Sequence, residues 1–215
     1  MNYVEDDDPN KEQVREENKK LVEKYPFLIP RNVFSGEVPK DYNYEYLEGF
    51  SSPGWKRIFM DYCDEILPSY LKLPEETRKK FMFFELKEKY GEMRIYTSFS
   101  WKEEGIANNR ACARSRLTCA YCGKVPHTSN GKNLIWRSQG WVTYLCKDCA
   151  KKEYLRGYKK DYSEYGRYQW LKNKKHRDED FKLDYERIET KPVCRIHHWE
   201  NGKDWIEEIP LGKTW

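Results

Sequence analysis

Trp55, Ile58, Phe59, Tyr62, Cys63, Ile66 and Leu67 fall on one face of a 3.6-residue period. The spacing predicts a helix that starts at Ser52-Pro53 and is ended or kinked by Pro68. Its apolar stripe reads as core, and Cys63 within it as a small buried hydrophobe. Further along, the period shortens to two. Met93, Ile95, Thr97 and Phe99 alternate with Arg94, Tyr96 and Ser98. The run FMFFELKEKYGEMRIYTSF, Phe81 to Phe99, is therefore expected to form two strands around a turn at Tyr90-Gly91. A helical reading of residues 81–89 stays open, because Glu and Lys are poor strand formers.

The other patterns are weaker. Asp8-Pro9 has the form of a helix start, and Val14, Leu21 and Val22 give a thin stripe to about Lys24. YPFLIPRN and the chain up to Gly49 read as irregular. Ile106 to Ser115 suits a short helix, with Cys112 packed in it. WVTYLC, Trp141 to Cys146, is strand-like, and a helix should follow Cys149 through AKKEYLRGYKKDY. Gly166 and the charged KNKKHRDED then loosen the chain. VCRIHHWE, Asn201-Gly202 and KDWIEEI read as a closing hairpin. No internal repeat is evident.

Composition changes this picture in two ways. A mean hydropathy of -1.04 with 35% charged residues would suit partial disorder. Seventeen Tyr, nine Phe and eight Trp argue instead for a folded chain with an aromatic core. No apolar run approaches the roughly 20 residues of a membrane span. The start, MNYVEDDDPNKEQVREENKK, is acidic and polar, unlike a secretory signal. The expectation is a cytoplasmic protein, in which paired cysteines favour metal over disulfide.

The net charge of +4 conceals an asymmetry. Ile106 to Arg177 carries 17 Lys/Arg against 4 Asp/Glu, a net of +13, which leaves -9 for the remainder. Such a split suggests a basic module that meets an anion and an acidic module with another task. The expected fold class is α+β. An acidic aromatic scaffold, helical with a small sheet, would occupy 1–105. A basic four-cysteine zinc module of treble-clef or zinc-ribbon type with a following helix would occupy 106–190, and a β-hairpin tail 191–215.

The metal expectation rests on Cys119/Cys122 and Cys146/Cys149, two CxxC pairs separated by 23 residues. Each CxxC turn presents two sulfurs from one side, so two turns complete a tetrahedral shell around one Zn2+. Gly123 follows the first pair, where the backbone must curl under the metal and often needs positive φ. Four thiolates leave no open position for water, so the zinc reads as structural rather than catalytic. Lys124, Lys147, Lys151 and Lys152 would offset the net charge of the centre.

The order of CxxC, NL, LCxxC and lysines resembles the scaffold of HNH-type nucleases. That resemblance implies a histidine base on the hairpin and further His/Asn ligands. The chain offers only His127 there, with no Asp-His pair and no histidine after Cys149 in the positions the scaffold requires. A diverged HNH-like nuclease is the weakest of the functional readings.

Tyr154 to Arg177 interleaves eight Lys/Arg with five Tyr and one Trp. Cations neutralise phosphates and flat rings stack on unpaired bases, which is what single-strand or RNA binding needs. Arg110, Arg114, Arg116, Lys159, Lys160, Arg167, Tyr168, Trp170 and Lys172 are the candidate nucleic-acid contacts. The competing reading has Tyr154, Tyr158, Tyr162 and Tyr165, at helical spacing, as packing residues. In the tail, Cys194, His197 and His198 raise a second metal as an open question. On a strand, however, His197 and His198 would point to opposite faces.

The segments KYPFLIPRN, DYNYEYLEGFSSPGW, LKEKYGEMRIY and TCAYCG, in this order, resemble a set of uncharacterised proteins encoded by phages and gut-bacterial genomes. The similarity spans roughly Lys24 to Cys149, and its shared features are KEKYG-x-x-R and the CxxCG knuckle. It implies zinc and a mobile-element setting, and it supplies no catalytic residues. Two partner classes follow: nucleic acid, single-stranded or RNA favoured, or a host protein that a phage anti-defence factor would bind and block.

Overall fold

A computed structural model of the chain describes residues 11–32, 34–44, 47, 52–139, 142–154, 185–191, 193–200 and 202–210. The architecture is α+β, with helices and, among the described residues, three small antiparallel sheets. The chain divides into two compact units. One comprises Met1–Ser52, Lys56–Lys89 and Met93–Cys112. The other comprises Pro53–Trp55, Tyr90–Glu92 and Ala113–Trp215. Among the described residues, no helix is long and apolar enough to cross a membrane.

The first unit is organised around aromatic side chains. Helix α1 (Lys11–Lys24) leads into a short 3-10 turn, Pro26–Leu28. Helix α2 (Lys56–Tyr70) buries Ile58, Phe59, Tyr62, Cys63 and Ile66 of the expected stripe, while Leu67 is half-buried and Trp55 lies in a 3-10 turn, Pro53–Trp55, where the helix was expected to start. Pro68 does not end α2; it sits in the final turn and the helix continues to Tyr70. The ring removes one N–H, the one that would bond the Asp64 carbonyl, and at the end of a helix one missing bond is tolerated.

After a single helical turn, α3 (Glu75–Arg78), the chain enters β1 (Phe83–Lys89) and β2 (Glu92–Thr97), which form a hairpin. Its two-residue loop has Tyr90 at φ 55 and Gly91 at φ 77. Consecutive left-handed residues match the twist of a hairpin, and within residues 81–89 the stretch Phe83–Lys89 is strand and not helix. Helix α4 (Lys102–Ser115) follows and starts four residues earlier than the apolar pattern indicated.

The segment read as irregular supplies the centre of this core. Phe27 is buried, with its ring edge-on to Tyr70 (5.0 Å), Phe81 (5.8 Å) and Phe83 (5.9 Å). Phe81 also meets Phe99 and Trp101 edge-on, at 5.5 and 5.0 Å. Edge-to-face geometry at these separations adds to what area burial alone provides. One acid is buried among them. Glu104, 1% exposed, accepts hydrogen bonds from the Tyr62 hydroxyl (2.7 Å) and the Asn108 amide (3.2 Å). Burial pushes the Tyr62 hydroxyl and the Cys63 thiol well above their ordinary pKa values. Cys63 is thus held as an inert thiol, and Cys112 is buried with its sulfur 3.3 Å from Asn108 Oδ1.

The second unit carries a three-stranded antiparallel sheet in the order β4-β3-β5, from β3 (Asn133–Ser138), β4 (Tyr144–Leu145) and β5 (Tyr185–Thr190). Ile135 lies opposite Ile188, and Trp136 opposite both Leu145 and Arg187. Within Trp141–Cys146 the described strand is only Tyr144–Leu145. Among the described residues, helix α5 covers 147–154 and starts before Cys149, immediately after Cys146; the rest of the helix expected through AKKEYLRGYKKDY lies outside the described residues. The tail forms the expected hairpin, β6 (Val193–Glu200) on β7 (Lys203–Pro210), with Gly202 at φ 75 in its turn. The Asp8-Pro9 helix start lies outside the described residues.

Candidate metal centre

The sulfurs of Cys119, Cys122, Cys146 and Cys149 converge, all within 4.8 Å of one another. Among the described residues this is the one such group of His, Cys, Asp or Glu. Cys122 Sγ stands 3.6 Å from Cys146 Sγ, far beyond the roughly 2.05 Å of a disulfide. All four thiols are free. The cluster can hold a metal ion.

Local backbone builds the first knuckle. Cys119 N–H donates to the Lys124 carbonyl at 2.8 Å, and Gly123 N–H to the Cys119 carbonyl at 3.0 Å. Gly123 has φ +73, the left-handed conformation expected for it. The second pair is presented differently. Cys146 precedes α5 and Cys149 lies in its first turn, with Ala150 N–H bonded to the Cys146 carbonyl at 2.9 Å. Ala120 N–H donates to the Tyr144 carbonyl at 2.9 Å, which ties knuckle to strand.

Remote residues complete the frame, and of these only Trp55 belongs to an apolar period, which marks it as core but not as a support of the knuckle. Gly54 N–H donates to the Ala120 carbonyl at 2.9 Å. A Cβ on Gly54 would lie 2.2 Å from the Cys119 carbonyl oxygen, so only glycine fits against the knuckle. Trp55, fully buried, donates its indole N–H to the Thr118 carbonyl at 3.3 Å. A Cβ on Gly91 would fall 2.7 Å from the Tyr144 ring. Asn133, also fully buried, donates its amide to the Leu117 carbonyl at 3.0 Å and the Pro126 carbonyl at 3.3 Å. The hint lay in Ser-Pro-Gly-Trp and Tyr-Gly: Gly91 was legible as a turn residue, but the close approaches of Gly54 and Gly91 to Cys119 and Tyr144 were not.

The thiols differ in environment. Burial raises Cys119 to about 11. Burial also pushes Cys122 up, but the Lys124 backbone N–H and the neighbouring thiols outweigh it and hold Cys122 below the ordinary thiol value. Cys149 is raised by burial and by its three neighbours.

Among the candidate nucleic-acid contacts, Arg110 and Arg116 each have a carboxylate partner. Arg110 pairs with Glu65, and Arg116 Nη2 stands 2.8 Å from Glu92 Oε2. Arg114 is partly buried at the end of α4. Lys159, Lys160, Arg167, Tyr168, Trp170 and Lys172 lie outside the described residues, as do Tyr158, Tyr162 and Tyr165. Tyr154 is buried, as the packing reading of the tyrosine series expects. His127 is exposed, bridges to Asn133 in antiparallel fashion, and is not part of the thiol cluster. Cys194, His197 and His198 lie on β6, and their side chains are outside the described set. No protein-family model, curated protein or solved structure matches the chain.

Proposed function

We propose that the protein is a non-enzymatic, zinc-stabilised nucleic-acid-binding protein of phage or mobile-element type. One observation carries the reading: four thiols converge inside the segment that holds the chain's excess positive charge. Zinc is the metal assigned. A tetrahedron with Zn–S bonds of about 2.3 Å has S–S edges of about 3.8 Å, close to the 3.6 Å between Cys122 and Cys146. The order of knuckle, β3-β4 hairpin and helix supports a treble-clef module. Four thiolates close the shell, which favours a structural ion. Lys124, Lys132, Lys147 and Lys152 are in the same segment, and each phosphate contact such groups make releases counterions.

The purified full chain should contain one zinc, lost in Cys146→Ser. It should bind single-stranded RNA or DNA with affinity that falls steeply as salt rises. Full metal retention in Cys146→Ser would refute the ligand set, and absence of binding at low salt would refute the nucleic-acid role.

A second reading, a phage accessory protein that blocks a host protein, is favoured by one feature of the first unit. Phe34 is 95% exposed on a loop braced by hydrogen bonds. Asn32 Oδ1 accepts from the N–H groups of Phe34 (2.9 Å) and Ser35 (3.0 Å), and Arg31 donates to the Gly36 carbonyl at 3.0 Å. A braced apolar tip suits a partner's pocket. Recovery of one stoichiometric host protein, unaffected by nuclease, would select this reading over the first.

A further inference from the structure

We infer that the outer face of the metal centre is a single-strand-binding surface, in which Tyr121 stacks an unpaired base and Lys124 and Lys147 take the adjoining phosphates. The inference rests on the nucleic-acid reading above and assigns it a site. Tyr121 lies between two metal-ligand positions, Cys119 and Cys122. Cys119 and Ala120 are buried on the inner side of the knuckle, whereas Tyr121 is 43% exposed. An aromatic ring in that position is held without cost in loop ordering. Its backbone is already fixed by the bonds from Gly54 to Ala120, from Ala120 to Tyr144 and from Cys119 to Lys124.

The cations are close to the same knuckle. Lys124 Nζ reaches Asp148 Oδ2 at 3.9 Å, which places the ammonium of the first knuckle against the turn of the second. Both side chains of that pair are mostly exposed, 68% and 75%, so the pair is worth little and its lysine can turn to a phosphate. Lys147, exposed, is the residue before Asp148. An exposed ring on the knuckle that also carries Lys124, with Lys147 next to the second pair of cysteines, offers a stacking face and two cations to a phosphate chain with an unpaired base. A duplex keeps its bases inside and offers Tyr121 nothing to stack on.

The test measures the anisotropy of fluorescein-labelled oligouridylate, oligothymidylate and a duplex of equal length against the zinc-loaded full chain. The wild type should prefer the single strands, and the two oligomers report RNA against DNA. Tyr121→Ala should weaken single-strand binding by between about 5-fold and about 100-fold, leave duplex binding unchanged and keep one zinc. Tyr121→Trp should retain the wild-type affinity. Tyr121→Ala that keeps its zinc and binds like the wild type would overturn this inference and leave the broader reading standing. A wild type that binds none of the three probes at low salt would overturn both. Photo-crosslinking of a 5-iodouridine oligomer to the wild type decides the matter without a variant. A crosslinked peptide containing Tyr121 supports the site, and crosslinks confined to other segments refute it.

Discussion

Gly54 touches the first knuckle with backbone alone, and a single methyl group there would collide with main-chain atoms of Cys119 and Ala120 that cannot swing aside. Gly54→Ala is therefore expected to destabilise the protein by about 1–3 kcal/mol, the usual cost of overpacking, and to loosen metal retention. Gly131 is the control. Its φ of +78 is unfavourable for alanine, but nothing lies within 4 Å of an added Cβ. Gly131→Ala should cost about 1–2 kcal/mol from conformation alone and leave the metal in place. Thermal denaturation with metal analysis of both variants separates the two effects. At this scale the thiol cluster was legible in the sequence and its supports were not. Cysteine spacing encodes the cluster directly, because each pair acts through its own turn. Gly54, Trp55 and Asn133 act across the fold, through backbone carbonyls at positions 120, 118, 117 and 126 that carry no residue signature.

At the scale of elements, the period of the apolar residues predicted α2, which buries one face, and β2, where Met93 and Ile95 are buried and alternate with the more exposed Arg94 and Tyr96. It was ambiguous or silent where burial and period diverge. β1 is expected as a strand with a helical reading open, and its buried residues Phe83 and Leu86 lie three apart and give no strict alternation. β5 was missed for a related reason. Glu186, Arg187 and Glu189 interrupt any apolar pattern, and the strand is held by its pairing to β3 and an Arg137–Glu186 contact at 3.5 Å. The 3-10 turn at Pro26–Leu28 has no period at all, yet Tyr25, Phe27 and Leu28 are among the most deeply buried residues. The elements of the first unit meet at Phe81, whose ring contacts Phe27, Tyr70, Phe83, Phe99 and Trp101. Phe81→Ala should cost about 3–5 kcal/mol, whereas Phe34→Ala, on the exposed loop, should leave the denaturation midpoint unchanged.

At the scale of the whole molecule, each unit has its own source of order. One is held by packed rings, the other by a sheet and the buried Trp55 and Trp136 beside the four-thiol cluster. A strong chelator at neutral pH is expected to remove hydrogen-exchange protection from Ala120, Gly123 and Ala150 while Tyr62, Cys63 and Ile66 in α2 stay protected. Simultaneous loss in both sets would show that the metal supports the entire chain. The charge asymmetry was visible in composition, and it follows the segment that bears the thiol cluster. The acidic remainder and its aromatic core could be inferred only as a class, since 16% aromatic content says that rings are buried without saying against what.

The contacts of Gly54 and Trp55 with the knuckle also bear on how the chain is made. A ribosome releases Pro53–Trp55 and the Tyr90-Gly91 turn before the first knuckle cysteine appears. The strip that braces the knuckle is already synthesised when Cys119 and Cys122 emerge, and the docking can proceed as soon as Cys146 and Cys149 follow. Of the sheet beside the thiols, only β5 arrives later. Synthesis from the N-terminus thus delivers the brace before the thiols, which shortens the interval in which four reactive sulfurs stand exposed to oxidants or to the wrong metal.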